Sequence, residues 1–265
     1  MNEVRAKKSY GQHFLKSSDT AKRIAECSKG HSCNNFLEIG PGMGILTKPL
    51  QEIHKHLKVV ELDAESIDYL MIHNVIPAEN CIQGDFLRLP IPDLFHNEEF
   101  CVVGNFPYNI SSQIVFKILD NKELIPGMTG MFQKEVARRI CSPKGSKEYG
   151  ILSVLTQAFY DTEYHFTLDE HEFNPPPKVK SGVISMYRKK DLQLPCNEKL
   201  FKDVVKTSFN QRRKTLNNSL KRLLNDNKLE EKIGSLRPEQ LDYTDFIYLT
   251  NYIEPFQKQE NNKNP

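Results

Sequence analysis

From residue 36 to about residue 188 the chain alternates short apolar runs with amphipathic stretches, a rhythm that few folds satisfy. Residues 36–39, 57–62, 81–83, 100–103 and 127–132 read as strands, and residues 45–53, 65–73 and 111–119 place apolar side chains at helical spacing. Strands and helices in strict alternation imply a mostly parallel sheet covered by helices on both faces. Two further strands are expected at residues 163–167 and 182–187. The turn-rich Asn174-Pro175-Pro176-Pro177 joins them, so they should pair antiparallel at one edge.

After Lys190 the rhythm stops. Residues 197–224, 229–236 and 238–253 read as helices with no strand between them. The break near residues 191–195 marks a boundary. The expected organisation is one large α/β domain over residues 1–190, a small all-helical domain over 191–256, and a polar, disordered tail over 257–265. A chain of 265 residues is long enough for both.

No window approaches the ~18 uninterrupted apolar residues a membrane span needs. The N-terminus has no apolar core of a secretory signal. The six cysteines show no CxxC pair and no metal-ligand spacing, which points to reduced thiols in a cytoplasmic protein without a metal site. The formal net charge of +2 hides an uneven distribution. Between Lys199 and Arg222 there are eight Lys or Arg residues against one acid, Asp203. A second cluster holds Arg5, Lys7, Lys8, Lys16, Lys22 and Arg23. Such clusters suit a polyanionic partner, although a charge run is also what a solvated helix face looks like.

The turn Gly40-Pro41-Gly42-Met43-Gly44 follows the first strand of the alternation and leads into its first helix. Glycines there let the backbone turn tightly and approach a ligand closely. Glu61 ends the second strand, where a carboxylate can accept both hydroxyls of a ribose, and Asp85 follows the third, where one can meet an adenine edge. Together they suit an adenosine-bearing cofactor. The glycine spacing is GxGxG rather than GxGxxG, which counts modestly against a dinucleotide.

Asn105-Phe106-Pro107-Tyr108 runs off the fourth strand. An exocyclic adenine amine is a poor nucleophile because its lone pair is delocalised into the ring. Two acceptors near its N–H groups, the Asn105 side-chain oxygen and the Phe106 carbonyl, would draw the nitrogen towards a tetrahedral shape and aim the lone pair at a methyl donor. Pro107 stiffens the turn, and Tyr108 offers a stacking face, a contact worth ~1–3 kcal/mol.

At these residues the chain resembles the ribosomal RNA adenine N6-dimethyltransferases, most closely the KsgA type acting on small-subunit rRNA. The resemblance spans nearly the whole chain. It rests on Tyr10-Gly11-Gln12-His13-Phe14-Leu15, Glu38-Ile39-Gly40-Pro41-Gly42, Val60-Glu61-Leu62-Asp63, Gly84-Asp85 and the segment from Gly104 to Ser111. Gln133-Lys134-Glu135-Val136, the segment from Tyr149 to Val154, and the run from Phe173 through the three prolines to Ser181 add to it.

The resemblance implies a class I S-adenosylmethionine-dependent methyltransferase, with a Rossmann-like, seven-stranded, mostly parallel sheet and a small C-terminal helical domain. His13, Leu15, Gly40, Gly42, Glu61, Asp85 and Asn105 would line the S-adenosylmethionine site, and Tyr108 and Phe173 would flank the target base. The family reaction places two methyl groups on each of two adjacent adenosines in a hairpin loop near the 3′ end of small-subunit (16S) rRNA. Members also serve late in the assembly of the 30S particle. Arg212, Arg213 and Lys214, in a stretch read as helical, would face rRNA phosphates. Two departures stand out: His13 where many members carry Asn, and Phe106 in place of Leu or Ile. An Erm-type enzyme acting on large-subunit rRNA and a non-catalytic assembly factor are the competing readings.

Overall fold

The computed structural model describes residues 4–7, 11–225 and 227–261. The chain divides into two compact units, one of residues 1–138 with 160–189, the other of residues 139–159 with 190–265.

The first unit is built on a seven-stranded sheet. Along the chain run β1 (Phe14–Leu15), α1 (Ser18–Cys27), β2 (Asn35–Ile39), α2 (Thr47–Ile53), β3 (His56–Glu61), α3 (Ala64–Ile72), β4 (Cys81–Gln83), α4 (Ile91–Leu94), β5 (Phe100–Asn105), α5 (Ser111–Asp120) and β6 (Gly127–Gln133). Then follow α6 (Lys134–Cys141), α7 (Ile151–Phe159), β7 (Tyr160–Leu168), β8 (Phe173–Asn174) and β9 (Ser181–Arg188). The sheet order is β4-β3-β2-β5-β6-β9-β7. Pairings from β4 to β6 are parallel, and β9 runs antiparallel between β6 and β7.

Burial explains the pattern. In β5, Phe100 to Gly104 are all buried, as expected of a central parallel strand covered on both faces. The helix α1 lays Ala21, Ile24 and Ala25 against Phe36, Leu50, Leu57, Cys101 and Val103. Ser17 caps that helix by accepting from the Thr20 amide at 3.2 Å. The two-residue strands β1 and β8 pair antiparallel, Phe14 with Asn174 and Leu15 with Phe173. Neither this ladder nor the helices α1, α6 and α7 stand out from the apolar rhythm alone.

In the second unit, α7 packs with α8 (Glu198–Asn210), and α8 packs with α11 (Tyr243–Asn261). The apolar face of α8, namely Phe201, Val204, Val205 and Phe209, is buried there, and Phe209 meets both Tyr149 and Phe246 edge-on or tilted. Two departures from the sequence expectation follow. First, the helical unit is not contiguous. Residues 139–159 belong with it, held by Lys144 to Asp242 at 2.6 Å and by the Gly145 amide to the Glu239 carbonyl at 2.7 Å. Second, the helix expected over 197–224 breaks after Asn210. The Leu216 amide, which an unbroken helix would spend on Arg212, bonds instead to the Leu236 carbonyl at 2.8 Å. Only α9 (Leu216–Ser219) resumes, and the later helices are α10 (Glu231–Gly234) and α11. The latter carries the chain to Asn261, so residues 257–261 of the expected disordered tail are helical, and residues 262–265 lie outside the described residues. Among the described residues no helix is long and apolar enough to cross a membrane.

Two histidines, His31 buried and His54 half-buried, give the first unit a pH signature. His31 Nε2 pairs with Thr129 Oγ1 at 2.8 Å, and His54 stacks on Phe36 with ring centroids 3.5 Å apart. Burial pushes both imidazoles down to about 4. A depressed histidine pKa stabilises the fold fully above its ordinary value of about 6.5, and that contribution is lost as pH falls towards 4. Thermal melts of wild type and His31→Gln should therefore differ in slope between pH 6.5 and 4, the wild type losing more stability than the variant as the pH falls. An equal slope in the variant would remove His31 from the account.

Candidate active site

The sheet changes direction at the β2–β5 pair: successive strands add outward from β2 on one side and from β5 on the other. Ligands in open α/β sheets bind at the carboxyl ends of strands at such a switch point. Here the loops after β2, β3, β4 and β5 converge on one cavity of about 230 Å³.

After β2 the backbone enters the left-handed region at Gly40 (φ 68°) and Gly42 (φ 55°). A Cβ on Gly40 would meet nothing nearer than Pro107 Cδ at 4.0 Å, so its requirement is conformational and it leaves the backbone open to the cavity. A Cβ on Gly42 would fall 2.7 Å from the Phe14 ring, so there the requirement is also steric.

Glu61 closes the other side of this turn. Its Oε2 accepts from the Gly42 amide at 3.1 Å, and its Oε1 accepts from Leu62 and Asp63 amides at 2.8 and 2.9 Å. A carboxylate offers about four acceptor sites, so the three amides fix its orientation and leave room for a hydroxyl. Burial raises the Glu61 pKa, opposed by those three amides. Behind it, burial pushes Glu38 up to about 8, so Glu38 is protonated at neutral pH and puts no second negative charge beside Glu61. Asp85 has a double role. It lines the cavity, and its Oδ1 accepts from the Leu87 amide at 2.9 Å, the turn-capping alternative for such a residue.

The end of β5 carries the tetrad. Asn105 Nδ2 donates to the His13 carbonyl at 2.9 Å. An amide so tied presents its oxygen to any further donor. Phe106 is buried, its amide donates to the Met131 carbonyl at 3.2 Å, and its ring lies edge-on to Phe132 at 5.1 Å. A Cβ on Gly130 would come within 2.1 Å of that ring, and one on Gly104 within 2.8 Å. These two glycines make the slot that accepts the larger Phe106.

His13, Gly40, Gly42, Glu61, Asp85, Asn105, Phe106, Pro107 and Tyr108 all line the cavity. Leu15 and Phe173 do not. They face each other across the β1–β8 ladder and are buried in the core, 5% and 1% exposed, so in this structure Phe173 is a core residue rather than a wall for a base. The His13 imidazole faces Pro175, with Nδ1 2.8 Å from its carbonyl; the His13 backbone is what holds Asn105. Gln12, Phe14, Leu62 and Ile110 also line the cavity and were not singled out from sequence. All four lie inside the motif segments quoted above, which is the signal that could have found them. Arg212, Arg213 and Lys214 lie in the turn after α8 rather than on a helix face. Arg213 and Lys214 are exposed, whereas Arg212 bonds the Ser146 carbonyl at 3.3 Å and pairs with Glu239 at 3.7 Å.

Residues 3–250 match the family model described as ribosomal RNA adenine dimethylase. The chain belongs to this family. It is 56% identical over 255 residues to ribosomal RNA small subunit methyltransferase A of Flavobacterium johnsoniae, covering 96% of this chain and 98% of that one. The protein of the same name from Porphyromonas gingivalis is 50% identical over 257 residues, covering 96% and 100%. Among solved structures, a dimethyladenosine transferase from Plasmodium falciparum shares the fold at a TM-score of 0.77 and 24% identity, over 92% of this chain and 98% of that one. The 23S rRNA methyltransferase ErmE aligns at a TM-score of 0.66 and 26% identity, over 90% and 99%.

The Glu61 geometry yields a prediction. Glu61→Gln turns one acceptor oxygen into a donor facing backbone amides, so S-adenosylmethionine binding measured by calorimetry should weaken by about tenfold or more. An unchanged affinity would detach Glu61 from the cofactor.

Proposed function

We propose that this protein uses S-adenosylmethionine to dimethylate N6 of two adjacent adenosines in the 3′-terminal hairpin loop of small-subunit (16S) rRNA, and so contributes to small-subunit maturation. The observation that carries the proposal is the fixed amide of Asn105, with nitrogen on the His13 carbonyl and oxygen left for an amine at the cavity.

The residues present suit the cofactor. The open backbone at Gly40, the oriented Glu61 carboxylate and Asp85 surround one cavity with Asn105. Gly40 and Gly42 would accept the methionine end, Glu61 the ribose and Asp85 the adenine. When bound, the cofactor supplies a methyl group already activated on a sulfonium, so the protein must supply alignment rather than a strong base. Asn105 Oδ1 and the Phe106 carbonyl accept the two N–H groups of the target amine and turn its lone pair out of the ring plane. Tyr108 stacks on the base. A base must leave its own stack to be held this way, which costs less in a single-stranded loop than in a duplex.

The exposed Arg213 and Lys214 are proposed phosphate contacts on an immature 30S particle, positioning the enzyme without reading sequence. The protein would work in the cytoplasm as a monomer, with residues 139–159 and 190–256 as its rRNA-docking unit. The Erm-type reading shares the tetrad chemistry. What favours the small-subunit substrate is the 56% identity to a small-subunit methyltransferase, against 26% to ErmE. A non-catalytic assembly factor would have no need of the Asn105–His13 arrangement.

Incubating the purified protein and labelled S-adenosylmethionine with immature small subunits should place dimethyladenosine at two adjacent positions near the 3′ end. Label confined to large-subunit rRNA would transfer the proposal to the Erm-type reaction.

A further inference from the structure

Ser181 opens β9 and is fully buried. A hydroxyl in such a place is costly unless it is hydrogen-bonded. Its Oγ lies 2.5 Å from the Tyr108 hydroxyl. Burial raises the Tyr108 phenol above its ordinary value, so it remains a neutral hydroxyl able to share that bond. The Tyr108 ring is held a second time by the His13 imidazole, with ring centroids 5.4 Å apart and planes at 31°. That imidazole is bonded in turn to the Pro175 carbonyl. The platform proposed for the target base is thus tied at its tip to the residue that ends the loop 175–180, and on its ring to a residue bonded to the start of the same loop.

The intervening loop is exposed apart from Pro177, and Val179, at 43% exposure, stands between Lys178 and Lys180. Lys180 pairs with Asp169 at 2.6 Å, and the two ends of the loop are anchored beside the tetrad.

We propose that Ser181 is a positioning residue for methyl transfer, acting through Tyr108. Its hydroxyl holds the aromatic ring at one tilt, so that a stacked adenine has N6 level with Asn105 Oδ1 and the Phe106 carbonyl. The second methylation places the greater demand on this alignment. The monomethylated amine has one N–H left, so one of its two acceptor contacts is gone and the stacking platform must hold the base in place. The inference rests on the function proposed above.

The test compares wild type, Ser181→Ala, Tyr108→Phe and the double variant on small subunits, reading kcat, KM, S-adenosylmethionine affinity and the ratio of mono- to dimethyladenosine. Tyr108→Phe breaks the same bond from the other side and leaves β9 untouched, so it decides the matter even if Ser181→Ala folds poorly. Each single variant should lower kcat by about three- to tenfold, the worth of one hydrogen bond. Each should leave KM and cofactor affinity within about twofold and accumulate monomethyladenosine. The double variant should be no slower than the slower single, because both lose one interaction. An unchanged kcat in Tyr108→Phe, or losses that multiply in the double variant, would overturn the positioning role alone. Subunits left unmethylated by the wild-type protein would overturn the proposed function and this role together.

Discussion

The hydrogen bond from Asn105 Nδ2 to the His13 carbonyl is the constraint on which the site depends. It joins the end of a central strand to the segment before β1, two pieces of chain 92 residues apart. Without it the Asn105 amide could flip and offer a donor where the proposed chemistry needs an acceptor. With it, the polarity of the site is decided before any substrate arrives, which is electrostatic preorganisation of the kind that lowers barriers most. The segment after His13 is held in turn by the β1–β8 ladder and by the Lys16 amide on the Glu172 carbonyl at 2.9 Å.

The same logic applies at His13 and Phe106, the two positions where the resemblance implies other residues. Position 13 tolerates histidine because its backbone, not its side chain, holds Asn105, and the imidazole takes up a separate contact with Pro175. Position 106 tolerates phenylalanine because Gly104 and Gly130 leave a slot that any Cβ would close. In both cases the group that would act on substrate is a backbone carbonyl or is fixed by one.

Much of the catalytic unit was legible in the sequence because its physics is local and periodic. The strands of the parallel sheet, the glycine turn and the acids at Glu61 and Asp85 follow from strand ends converging on one edge. The two-residue ladder was not legible. A strand that short has no period, and its pairing of Leu15 with Phe173 is a long-range event that draws both side chains into the core instead of the cavity. The helical unit was less legible still. The apolar spacing from Phe209 to Leu216 fits an unbroken helix, yet a bond to Leu236 ends it and places Arg212, Arg213 and Lys214 in a turn. Residues 139–159 lie between two strands of the sheet in sequence, and only packing assigns them to the other unit.

The most direct test of the central claim is the kinetics of Asn105→Asp. Aspartate keeps an acceptor at the same position but cannot donate to the His13 carbonyl, which would repel it. The account predicts a fall in kcat of at least about 10²-fold, the loss typical of a misplaced preorganised group, with S-adenosylmethionine affinity changed far less. Activity within a few-fold of wild type would contradict it, and would mean that an acceptor anywhere near position 105 suffices without the tether.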